Sequence, residues 1–163
     1  MSPPSDAASR WPDLSGRLVD DANGPRHVLP IRVYFEDTDF SGLVYHASYV
    51  RWCERGRSDF LRTLGNDHQA LLQGSGVREP AAFVVRRMQL EFLKPVRIDE
   101  ILEVTTRVSS ASAASMSLEQ QISRGGVTVF TAEVLVVLLS ATGKPLRLSA
   151  PLRDALQAKK PPS

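Results

Sequence analysis

Asp39 closes an acidic run, Glu36-Asp37-Thr38-Asp39, and seven residues later His46 stands where the chain takes up helical spacing. A carboxylate with a reference pKa of about 3.9 is ionised at neutral pH, ready to attack an activated carbonyl or to orient a water that attacks it. The first N–H groups of a helix lack intrahelical partners and sit at the positive end of its dipole, so those around His46 are candidate donors to a developing oxyanion. One such donor contributes roughly 100- to 1000-fold in rate and a positioned base or nucleophile about 100- to 10,000-fold, together enough for an activated ester. Gly42, in the loop between the two, has no side chain to keep the backbone away from an acyl group.

Ordinary roles compete with these. An Asp before a helix is most often a turn or cap residue, and a lone His is more often structural than chemically active. Glu54, on the polar helix face, either hydrogen-bonds into the site or is simply solvated. Cys53 falls on the apolar stripe, where a buried, inert thiol is the usual outcome. Ser75, in Gly74-Ser75-Gly76, lacks the nucleophile-elbow pattern of a serine hydrolase. Arg86, Arg87, Lys94, Arg97, Lys144 and Arg147 could recognise phosphate, and the last two are preferred because they flank a turn near a strand end.

The elements that must position these residues follow from periodicity. The first 28 residues, with Pro3, Pro4, Pro12 and Pro25 among Ser, Asp and Gly, read as a flexible leader. A strand is expected at Ile31 to Phe35, then an amphipathic helix from Ala47 to Leu64, with Val50, Cys53, Phe60, Leu61 and Leu64 on its apolar side. Gly65 suits its C-cap, Asn66 or Asp67 can cap a short helix through Leu72, and Gly56 inside the long helix signals close packing on the sheet. Period-two alternation then marks strands around Met88-Leu90-Phe92, Leu102-Val104-Thr106-Val108 and Met116-Leu118-Ile122. Gly125-Gly126 signals a tight hairpin into Val127 to Leu139, apolar enough for a strand covered on both faces. One strand, one helix and four strands predict an α+β fold, a five-stranded antiparallel sheet wrapped around one long central helix. The domain spans residues 29–150, and 151–163 form a tail with at most a short helix.

Composition narrows the class. A chain of 163 residues, 42% hydrophobic and 23% charged, is sized for one domain. Twenty Lys and Arg against eighteen Asp and Glu leave a formal charge of +2, too balanced for a non-specific nucleic-acid binder. No apolar run is long enough to span a bilayer and no signal peptide is evident, which with a single cysteine points to the cytoplasm. The spacing of His27, His46 and His68 offers no metal site, and no cofactor is expected.

The stretch Val33 to Gly65 resembles the tol-pal-associated acyl-CoA thioesterases, relatives of hydroxybenzoyl-CoA thioesterase. The family's E-D-T-D, G-x-V-Y-H-A-S-Y and E-R-x-R elements correspond to Glu36 to Asp39, Gly42 to Tyr49 and Glu54 to Arg57, and the likeness continues through Phe83 to Glu100 and Ala132 to Val137. It covers roughly Arg32 to Leu148. The resemblance implies a hotdog fold, catalysis by Asp39, and His46 supplying a helix N-terminal N–H beside the thioester. Gly42, Val44, Tyr45 and Glu54 would line the substrate, with Lys144 and Arg147 toward the CoA phosphates. It also implies homodimers, often paired into tetramers, with each site completed by a partner's strand. Many members have two tyrosines before E-D-T-D, whereas this chain has Tyr34 and Phe35, so one phenolic contact is missing.

Two other functions fit a hotdog outline. A hydratase or dehydratase acting on acyl thioesters normally carries an H-F-P-G-type segment, which is absent here. A non-catalytic module that binds acyl groups, docking acyl carrier protein or lipid-synthesis enzymes, would have no need of Asp39.

Overall fold

Alternating apolar and polar residues do form strands here, and they join into one antiparallel sheet curled around a single long helix. The computed structural model describes residues 16–64 and 79–157. In chain order the elements are β1 (Arg17–Asp21), β2 (Gly24–Arg32), α1 (His46–Thr63), β3 (Ala81–Phe92), β4 (Ile101–Ala111), β5 (Ser115–Arg124), β6 (Val127–Ser140) and α2 (Ala150–Leu156). The sheet order is β1-β2-β4-β5-β6-β3, with β3 at one edge. This is the hotdog arrangement, with six strands where five were expected.

The additional strand corrects the extent of the leader. Residues 17–28, read as flexible, instead form a hairpin with Asp21 paired to Gly24, and β2 continues along β4 from His27↔Thr106 to Arg32↔Ile101. Pro25 and Pro30 obscured it, yet the Asn23-Gly24 pair is a hairpin signal, and Gly24 takes φ 99° as such a turn requires. The strand expected at Ile31 to Phe35 ends at Arg32, and Phe35–Asp37 is a 3-10 turn. The expectations for Gly65, Asn66, Asp67, Leu72 and Ser75 lie outside the described residues.

The core lies between α1 and the concave face of the sheet. Trp52 and Cys53 of the helix share one buried core with Val104, Leu118, Ile122, Phe130 and Val134 of the strands. Each large apolar side chain removed from water in this way contributes roughly 1.5–3 kcal/mol. Gly56 is where helix and sheet come closest: a Cβ there would stand 3.0 Å from both Thr106 Oγ1 and Val104 Cγ1. Beside it the buried Gln120 side chain donates to the Cys53 carbonyl (2.9 Å) and to Thr106 Oγ1 (2.8 Å) and accepts from Arg57 (2.8 Å). A second tie runs from β2, where the fully buried His27 Nε2 meets Asp59 of α1 at 2.7 Å.

The helix is not centred on the sheet. It packs chiefly against β1, β2 and β4, so the concave side of β3 stays partly open: Phe83, Met88 and Leu90 are half-buried, and Val85 and Phe92 are exposed. The last strand also departs from expectation. Burial along β6 alternates, with Val134, Val136 and Leu138 buried and Leu135, Val137 and Leu139 only half-buried, so a single chain covers one face of it. Among the described residues no helix is long and apolar enough to cross a membrane.

Candidate active site

The loop between β2 and α1 is built by backbone hydrogen bonds that fold it against the helix start. Asp37, the first aspartate of the motif, is buried and structural. Its carboxylate accepts from the Tyr34 N–H (2.8 Å), and its carbonyl accepts from the Tyr45 N–H (2.8 Å) and from Ser48 Oγ (3.2 Å). Thr38 then bridges to Val44, and the Val44 N–H donates to the Val96 carbonyl at 2.9 Å. These contacts fix both ends of a tight turn from Asp39 to Gly42. The Gly42 N–H donates to the Asp39 carbonyl and the Asp39 N–H to the Leu43 carbonyl, each at 3.0 Å.

Gly42 has a conformational reason to be glycine that its sequence position does not show. A Cβ there would meet nothing within 4 Å, but its φ of 78° is a conformation that L side chains rarely adopt. The backbone angle of the turn selects glycine, not a shortage of space within the chain.

Asp39 projects from this turn and is exposed in the single chain. Its Oδ1 accepts from the Ser41 N–H (2.8 Å) and the Ser41 hydroxyl (2.5 Å). Those two donors hold the carboxyl below the usual aspartate range, and the nearby His46 lowers it further. Asp39 Oδ2 has no hydrogen bond among the described residues. The acid is therefore ionised, oriented by one oxygen and presented to solvent by the other.

His46 is the first residue of α1 and Tyr45 its N-cap, with no side-chain capping bond. Helices ordinarily place Ser, Thr, Asp or Asn there to satisfy an orphan N–H. The Ser48 N–H bonds the Tyr45 carbonyl, while those of His46 and Ala47 have no acceptor among the described residues. The result is an open, polarised helix tip beside an ionised carboxylate. The Tyr45 ring lies against the His46 imidazole with centroids 4.3 Å apart.

Of the residues singled out by sequence, Asp39, Gly42, Val44, Tyr45 and His46 come together. The others do not join them within one chain. Glu54 lies about 12 Å along the helix axis from His46, at about 1.5 Å per residue, and accepts a hydrogen bond from Ser58. Lys144 and Arg147 follow the end of β6 where Ser140 pairs with Ala81, whereas Phe130 and Phe92 pair at the other end and pack on Tyr49 in the first turns of α1. Ten strand residues separate the ends, about 34 Å. Nearer the loop is Arg97, which bridges to Leu43. Cys53 is fully buried and its thiol is pushed up to about 12 by burial, which removes it from nucleophilic chemistry. Sequence reasoning passed over Ser41, although an aspartate two residues before a serine is a familiar side-chain-to-backbone turn.

Residues 41–131 match the family model described as the thioesterase superfamily. The chain belongs to the thioesterase superfamily. Relatives of this thioesterase include the acyl-CoA thioester hydrolase YbgC of Escherichia coli, 45% identical over 109 residues, which are 66% of this chain and 78% of that protein. The acyl-CoA thioesterase YbgC of Haemophilus influenzae is 38% identical over 108 residues, 66% of this chain and 76% of that one. A probable thioesterase from Bartonella henselae superposes with a TM-score of 0.73 at 44% identity, over 76% of this chain and 98% of that one. The family match begins two residues after Asp39 and ends before α2, so the thioesterase carries its C-terminal helix outside the matched stretch.

Proposed function

We propose that this thioesterase hydrolyses acyl-CoA, releasing a free acid and CoA, with Asp39 as nucleophile or as the base that orients the attacking water. In either route one water is consumed, the C–S bond breaks and the thiolate leaves protonated as CoA thiol. The N–H groups of His46 and Ala47 receive the carbonyl oxygen as it gains charge. The observation that carries this reading is the uncapped helix tip next to an aspartate whose second oxygen is unengaged. Names given to relatives at 45% and 38% identity support the same substrate class.

The reading includes an oligomer. β3 is an edge strand of 12 residues, long for an unpaired edge. Strand pairing there with a second copy would close the open flank of the site and cover Asp39. Arg97 and Lys94, on the segment after β3, are the cations we assign to the CoA phosphates from the same chain, whereas Lys144 and Arg147 would reach them only from a neighbour.

Incubation of the full chain with a saturated acyl-CoA tests the reaction class. Hydrolysis yields one free thiol per acid formed. A dehydratase leaves a saturated acyl-CoA intact, and a binding module releases no thiol above the uncatalysed rate, so either result would overturn the proposal.

A further inference from the structure

A small apolar cavity lies beside the second half of α1. Its volume is about 110 Å³, and Leu61, Phe83, Val85, Met116, Val136 and Leu156 form its apolar walls. The two charged residues in its lining have partners: Glu54 accepts from Ser58 at 2.5 Å, and Arg57 donates to Gln120 at 2.8 Å. The other eight lining residues are apolar.

Helix geometry connects this cavity to the site. His46, Val50, Glu54, Arg57 and Leu61 follow one another at spacings of four, four, three and four, which on a 3.6-residue helix is a single stripe along one flank. The concave side of β3 runs beside it in the opposite direction, from Phe92 near Tyr49 at the helix start through Leu90 and Met88 to Val85 and Phe83. Stripe and strand meet at both ends: Tyr49 packs on Phe92 near the helix start, and Glu54, Arg57 and Leu61 share the cavity lining with Phe83 and Val85. The far wall is Leu156, on the last turn of α2 and buried.

We propose that the distal carbons of a linear, saturated acyl group occupy this cavity, and that Leu156 limits how long a chain is accepted. The proposal rests on the reading that the thioester carbonyl is held between Asp39 and the tip of α1. At about 1.5 Å per helical residue the cavity spans roughly 12 to 22 Å from His46, and an all-trans chain advancing about 1.25 Å per bond covers that in roughly 10 to 18 bonds. Sites for whole small molecules usually exceed about 300 Å³, so a cavity of this size suits the end of a chain better than an aromatic acyl group. Substrate length would then be read by a helix outside the family match, which makes the C-terminal segment the specificity determinant of this particular chain.

The test is kcat/KM for saturated acyl-CoAs from butyryl to palmitoyl with the wild-type chain, Leu156→Trp and Leu156→Ala. In the wild type, each methylene that enters the cavity raises kcat/KM up to about fourfold, from a burial of about 0.8 kcal/mol per methylene. Filling the cavity with Leu156→Trp lowers kcat/KM for chains that reach it by at least tenfold and leaves butyryl-CoA within twofold, while Leu156→Ala moves the optimum to longer chains. Unchanged butyryl-CoA turnover also shows that both variants fold. A wild-type preference for the shortest chains, or variants that alter short and long substrates equally or alter neither, would overturn the assignment of the cavity. Failure of the catalytic reading is separate: it would show as wild-type thiol release by Asp39→Asn, whatever the chain-length profile.

Discussion

Ser41 directs both its amide and its hydroxyl at Asp39 Oδ1, and each donor favours the charged carboxylate over the acid. The carboxyl therefore ionises below the ordinary aspartate value of 3.8. The sign of the consequence is fixed. If Asp39 acts as a base or nucleophile, kcat/KM holds on acidification and declines only as pH falls through the depressed value. Ser41→Ala removes the larger donor, so its acid limb moves upward toward the ordinary aspartate range, as pH profiles of thiol release should record. Identical limbs would show that Ser41 does not tune the reacting acid. Sequence spacing made Asp39 and His46 legible as a pair because both sit where strand period gives way to helix period. It did not reveal that Asp37 is buried and structural, because that depends on hydrogen bonds with Tyr34, Tyr45 and Ser48.

Among the elements, α1 is held to β2 by His27 and Asp59. His27 is fully buried, and desolvation lowers its pKa even though Asp59 opposes the shift. A histidine depressed in the folded state takes up protons more readily when unfolded. Its contribution to stability is thus complete above about pH 6.5 and is lost as pH falls through the lower folded value. Denaturant midpoints for the wild type should drop between pH 7.5 and pH 5 more steeply than those of His27→Phe, which has no proton to gain; equal slopes would contradict the assignment. The hairpin carrying His27 was the least legible element, since Pro25 and Pro30 disguise strands that lie toward the sheet edge, where prolines are tolerated. By contrast β4, β5 and α1 were legible because one face of each is buried and the other is wet. Gln120 broke the pattern on β5, a polar residue on the core side kept there by Arg57, Thr106 and the Cys53 carbonyl. No periodicity predicts such a network, because its partners are remote in sequence.

At the scale of the whole molecule, several features of the single chain are unfinished in the same region. Phe35 and Phe40 stand fully or almost fully exposed on the loop that holds Asp39, β3 has an open edge, and the concave side of that strand is only partly covered. Exposed apolar surface concentrated around one site is the usual mark of a surface that another molecule covers. The half-buried outer side chains of β6 belong to the same account: a strand apolar on both faces reads in sequence as fully covered, and one chain supplies only one of the two covers. The central claim remains that one ionised carboxylate opposite an open helix tip cleaves the thioester. Thiol release by Asp39→Asn, on protein whose mass by light scattering is the same multiple of the 17.9 kDa chain as the wild type, tests it most directly. The account predicts unchanged assembly, retained acyl-CoA binding and a rate at least about 100-fold lower, the scale of a lost base or nucleophile; hydrolysis at the wild-type rate by that variant would contradict it.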